Sequence, residues 1–209
     1  MVEAWPVIHA ERAALLADLR PLTPDRWTSR SLCDRWTIRQ VLAHMISTAR
    51  MTPPKFFVGF LGAGFNFQTF SDRGVARESA GSAADQLAAL ESVLTATAHP
   101  PGPIDSWLGE TIIHAEDIRR PLGITRAYPL DAVTQVARFY SGSNLIVGAK
   151  NRIAGVRLEA TDTDWSHGDD GAPLVRGPAE AILMSTLGRG AALADCEGDG
   201  VALLRGRTN

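Results

Sequence analysis

Thr37 and Gln40 open the helix that constrains this chain most. A threonine followed three residues later by a glutamine fits a capping box, in which each side chain satisfies a backbone N–H that the helix leaves unpaired. Behind it Ile38, Val41, Leu42, Met45, Ile46 and Ala49 recur at i, i+3, i+4, i+7, i+8 and i+11, a stripe that must be buried against other elements. His44 falls beside the stripe, three residues after Val41, and so points partly inward. Taken alone, such a histidine is either a hydrogen-bonded core residue or a ligand.

Three more stretches supply partners for that stripe. Ile8, Leu15 and Leu19 predict an amphipathic helix over residues 3–20, with Glu11, Arg12 and Asp18 largely off its apolar face. Pro21 and Pro24 end it, and residues 22–36 form a connection whose Trp27 and Trp36 anchor onto a core. Ser82 caps a helix with Ala83, Leu87, Leu90, Leu94 and Ala98 as its stripe, stopped by the His99-Pro100-Pro101-Gly102 run. A helix over residues 106–120 closes at Pro121 and Gly123 and places Trp107, Glu110, Thr111, His114, Asp117 and Ile118 on one inward face. Between residues 51 and 79, Pro53 and Pro54 break the second helix. The phenylalanines 56, 57, 60, 65, 67 and 70, which flank Gly62-Ala63-Gly64, read as core under a loop. Four amphipathic helices with short to moderate connections predict a helical bundle, an architecture that builds metal sites from inward side chains of different helices.

Glu110 and His114 stand one turn apart, with Cβ atoms about 5–6 Å from each other. At that spacing a carboxylate oxygen and an imidazole nitrogen reach one ion, or simply bond to each other; the spacing leaves both open. Asp117, three residues after His114, suits an acceptor behind a ligand imidazole, or an ion pair with Arg120.

Bulk properties exclude several classes. A 45% apolar chain of 209 residues fills a real core, and a net charge of -2 with no long run of one sign points to neither nucleic acid nor an anionic membrane. The expectation is a soluble, cytoplasmic protein, because there is no basic-then-apolar leader and no apolar run near the roughly 20 residues a membrane span needs. Cys33 and Cys196 form no CxxC motif or disulfide framework, and arginine makes up 19 of the 21 basic residues, which suggests a GC-rich bacterial genome.

Glu11-Arg12 with Leu15 and Leu19, the run Cys33-Asp34-Arg35-Trp36-Thr37-Ile38-Arg39-Gln40-Val41-Leu42-Ala43-His44, and the run from Glu110 through His114 and Asp117 to Gly123 together resemble the actinobacterial mycothiol-dependent maleylpyruvate isomerase family. That family belongs to the DinB-like superfamily of four-helix metalloproteins. The resemblance implies that His44, Glu110 and His114 are the ligands of one divalent metal, zinc first, with nickel or iron(II) suited by the same donors. It also implies a thiol cofactor, mycothiol. Its thiolate would add to the cis double bond of a small substrate, allow rotation, and leave to give the trans product. The match gives no role to Cys33 beyond packing or a local turn.

After Gly123 the composition changes. A helix is predicted over residues 131–140, strands over 156–161 and 174–176, a helix over 178–192 and a last strand over 201–204. Residues 162–171, with His167 and the aspartates 162, 164, 169 and 170, read as an acidic turn, since the D-x-D-x-D-G calcium spacing is not met. Arg189 is a candidate for an anionic substrate or cofactor. The resulting expectation is a mainly α protein, a DinB-like four-helix bundle over residues 1–150 followed by a small α+β domain over 151–209. Its partners would be a small-molecule substrate and a thiol, with a homodimer left open. Three functions fit: a metal- and thiol-dependent isomerase or transferase, a metal-dependent hydrolase without thiol, and a non-catalytic metal-containing binding or stress protein.

Overall fold

The computed structural model describes residues 1–145 and 147–208. It is mainly helical with one small sheet, and contacts divide it into two compact units. The first is Glu3–Arg126 and the second runs from Ala127 onward together with Met1–Val2. The division falls between Arg126 and Ala127, whereas the sequence places it at residue 150.

In the first unit, α1 (Ala4–Leu19), α2 (Ile38–Ala49), α5 (Ala83–Glu91) and α6 (Ile104–Leu122) form the bundle, with α1 and α2 each packed on α5 and α6. α2 starts as its sequence demands: the Thr37 N–H donates to Gln40 Oε1 at 3.0 Å. Ile38, Val41, Leu42 and Ile46 are fully buried among Leu15, Leu19, Leu90, Ala115 and Ile118. α6 ends in Gly123 at φ 72°, the left-handed conformation that glycine adopts without strain.

Several local expectations fail here for physical reasons. Glu11 and Arg12 are buried rather than off the core face, because each has partners. Glu11 pairs with Arg126 at 2.8 Å and Arg119 at 3.5 Å, and Arg12 Nη1 donates to the Val93 and Ala96 carbonyls at 3.1 and 2.8 Å. α5 stops at Glu91, since residues beyond it turn back as carbonyl acceptors for Arg12 instead of continuing to Ala98. Pro53 and Pro54 begin a helix, α3 (Pro53–Gly62), at positions whose N–H groups have no intrahelical partner anyway. α4 (Phe67–Glu78) follows and packs along α2. The six phenylalanines of this stretch are not core: none is buried, and Phe57 and Phe65 are more than half exposed. The reason is that α3 packs on α4 and, among the described residues, its other apolar side chains stay exposed to solvent.

The second unit holds α7 (Leu130–Ser141), the short α8 (Ala149–Arg152), strands β1 (Arg157–Ala160), β2 (Ser166–His167) and β3 (Leu174–Gly177), then α9 (Ala179–Thr186) and α10 (Gly200–Arg205). The sheet order is β2-β1-β3, with β1 antiparallel to β2 and parallel to β3. α9 packs on α7 and on the sheet. Residues 201–204, expected as a strand, form α10. A four-residue apolar run carries no period, and Ala202, Leu203 and Leu204, with Arg205 after them, favour a helix. The acidic turn contains the unforeseen β2; its Asp162 accepts the Ala179 N–H at 2.9 Å, and Asp170 pairs with Arg157 at 3.2 Å. No helix among the described residues is long and apolar enough to cross a membrane.

Candidate metal centre

α2 and α6 pack side by side in the bundle, so the inward edge of one faces that of the other. His44 comes from α2, and Glu110 and His114 come from successive turns of α6. One donor atom from each of the three lies within 4.8 Å of the others. His44 Nε2 is 3.9 Å from Glu110 Oε1, and the two imidazole rings meet edge to face with centroids 4.9 Å apart. Donors on a tetrahedral ion with bonds of 2.0–2.2 Å stand about 3.4 Å apart, so small side-chain rotations would close the set.

Each imidazole is held from behind. His114 Nδ1 is 2.9 Å from Asp117 Oδ2, and Asp117 is fully buried. His44 Nδ1 is 3.4 Å from the Ser71 hydroxyl on α4, while Trp36 lies against the His44 ring at 4.8 Å. With both Nδ1 atoms engaged, Nε2 is the ring nitrogen each histidine has left for the centre, and that of His44 lies toward Glu110. Asp117 fits the reading of an acceptor for His114, and Arg120 pairs with Glu116 at 3.3 Å.

Glu110 is the telling residue. Thr48 hydrogen-bonds its carboxylate, yet Oε1 is buried with no hydrogen-bond partner. Burial raises the pKa of Glu110 above the ordinary carboxylate range, against the opposing pull of His114 and Arg12. An unpaired buried carboxylate oxygen costs free energy in any fold that must carry it. Beside two imidazole nitrogens it completes a donor set that fits a divalent cation.

The comparisons with known proteins bear on the same region. The family described as mycothiol maleylpyruvate isomerase N-terminal domain matches residues 8–119, which include His44, Glu110 and His114. The chain belongs to that family. No curated protein matches it. Among solved structures, the mycothiol-dependent maleylpyruvate isomerase and a histidine-to-alanine mutant of it are similar to this maleylpyruvate isomerase-like chain with TM-scores of 0.63 and 0.62. Each is 14% identical, and each alignment covers 93% of this chain and 91% of the other. At that identity the likeness is one of fold.

Two other sequence candidates have local partners. Arg189 belongs to the second unit, where its Nη1 donates to the Leu187 carbonyl at 2.9 Å. The Cys33 carbonyl closes a turn by accepting the Trp36 N–H at 2.8 Å. Arg12, Thr48 and Ser71 were not foreseen as surrounding the centre. Arg12 had a faint signal, as a charge beside an apolar stripe; Thr48 and Ser71 had none.

Proposed function

We propose that this chain is a metal-dependent enzyme of the maleylpyruvate isomerase type. His44, Glu110 and His114 hold one divalent ion, zinc first with nickel or iron(II) as alternatives, and a low-molecular-weight thiol, mycothiol, serves isomerisation or thiol transfer on a small molecule. The observation that carries the reading is the buried, unpartnered Glu110 Oε1 beside His44 Nε2. Family membership supports the thiol. A divalent ion, when bound, lowers the pKa of a nearby thiol, so that the thiolate nucleophile is populated near neutral pH.

The chain's own residues do the rest. Asp117 and Ser71 fix the ring orientations and keep both Nδ1 atoms out of the centre. Trp36, packed on His44 and 6.4 Å from His114 by ring centroids, shields the imidazoles from water on one side. Two neutral imidazoles and one carboxylate would leave the loaded site with a net positive charge, which favours anionic groups at the open position. The reading carries a cytoplasmic setting with it, where small thiols are kept reduced.

The test is to assay the purified chain for cis–trans isomerisation of maleylpyruvate and for thiol transfer, with metal and mycothiol added singly and together. Activity only when both are present supports the reading. Hydrolytic activity with metal alone would replace it with a Lewis-acid hydrolase, and metal binding without turnover would replace it with a binding protein.

A further inference from the structure

α3 buries none of its residues, although its composition is that of a core helix. Phe57, Val58, Leu61 and Phe65 are 61, 74, 63 and 68% exposed, and Phe67 is 46% exposed. Ring contacts join these side chains into one surface: Phe56 touches Phe57 and Phe60, Phe60 touches Phe65, and Phe67 touches Phe70, with centroids 5.5–6.3 Å apart. At 150–250 Å² per aromatic side chain, the three exposed phenylalanines alone leave roughly 250–450 Å² of apolar surface in water. Val58 and Leu61 carry the patch beyond the few hundred Å² that monomers ordinarily show.

We propose that α3 and the turn after it are a self-association face, on which a second copy of this chain packs α3 against α3 about a two-fold axis. Charge decides the occupant. In a two-fold interface a residue near the axis meets its own counterpart, so any charge there faces its like. Residues 52–71 contain a single charged side chain, Lys55, whose Nζ lies 3.4 Å from the Arg50 carbonyl; from α4, Arg73 also reaches α3, where its Nη1 donates to the Gly62 carbonyl at 2.7 Å, so both cations sit at the ends of the helix. An anionic membrane would instead call for several lysines or arginines around the apolar face. The face also adjoins the metal centre, because α3 packs on α4 and α4 supplies Ser71 to His44. Pairing of copies would therefore brace one wall of that centre.

Sedimentation velocity on the full chain, from nanomolar to tens of micromolar, tests this directly. Wild type should sediment at about twice the 22.4 kDa chain mass, and Phe57→Asp and Leu61→Asp at the single-chain mass, with circular dichroism unchanged. A carboxylate buried without a partner should weaken the dimer at least about 100-fold. Wild type remaining monomeric throughout would overturn the proposal, as would a dimer that survives both substitutions. So would a monomeric wild type that floats with phosphatidylglycerol vesicles, which would assign the face to lipid.

Discussion

α2 and α3 are consecutive helices of similar length and both are rich in apolar residues, yet nine of the twelve residues of α2 are buried and none of the ten of α3. The difference lies in arrangement. In α2 the apolar side chains keep to one stripe, so one face seats in the bundle and the stripe's edge is free to present His44. In α3, Phe56, Phe57, Val58, Phe60 and Leu61 spread over roughly 200° of the helix, too wide an arc for one packing face to bury. Apolar content says that a helix needs cover; period says whether its own chain supplies it.

The comparison breaks most readily on stability. Leu42→Ala removes a fully buried side chain of α2 and should cost about 2–5 kcal/mol, whereas Leu61→Ala on α3 should change a monomer's stability by less than about 0.5 kcal/mol. Urea denaturation below the dimer concentration reads both, and equal costs would erase the distinction. The same contrast should extend to the metal centre. Asp117→Asn, beneath His114 on the buried α6, should weaken metal binding about 10–100-fold. Ser71→Ala, on the peripheral α4 and at the longer distance of 3.4 Å, should weaken it less. Competition with a chromophoric chelator separates the two.

A smaller effect concerns pH. The folded-state pKa of Glu110 is raised by burial, so the metal-free fold is favoured while Glu110 is neutral in both states. That stability is lost as pH rises from the ordinary carboxylate range through the folded value. The melting temperature of metal-free protein should therefore fall across that window, Glu110→Gln should flatten the fall, and metal should reverse it. Because metal displaces the proton, its affinity should rise with pH over the same window.

The bundle and its centre were legible where residues obey a period and a cap. The Thr37–Gln40 box, the α2 stripe and the Gly123 terminus locate two helices and turn His44, Glu110 and His114 inward; that the three belong together came from the family resemblance. What was illegible depended on partners far away in sequence. Glu11 and Arg12 look like surface charges until Arg119, Arg126 and the carbonyls after α5 are placed around them. Ser71 gives no signal of its role, since only the packing of α4 on α2 brings it to His44. Asp117 was ambiguous because His114 and Arg120 are equally spaced from it along the helix. Residues 201–204 were too short a run for any period to show.

The central claim is that His44, Glu110 and His114 act together as one metal site. Its most direct test is elemental analysis of protein purified without chelator, for wild type and for His44→Ala, Glu110→Gln and His114→Ala side by side. About one zinc, nickel or iron per chain in wild type, lost in every variant while circular dichroism shows each still folded, is the predicted result. Wild type that takes up no metal even on reconstitution, or a His114→Ala variant with unaltered metal content, would contradict it.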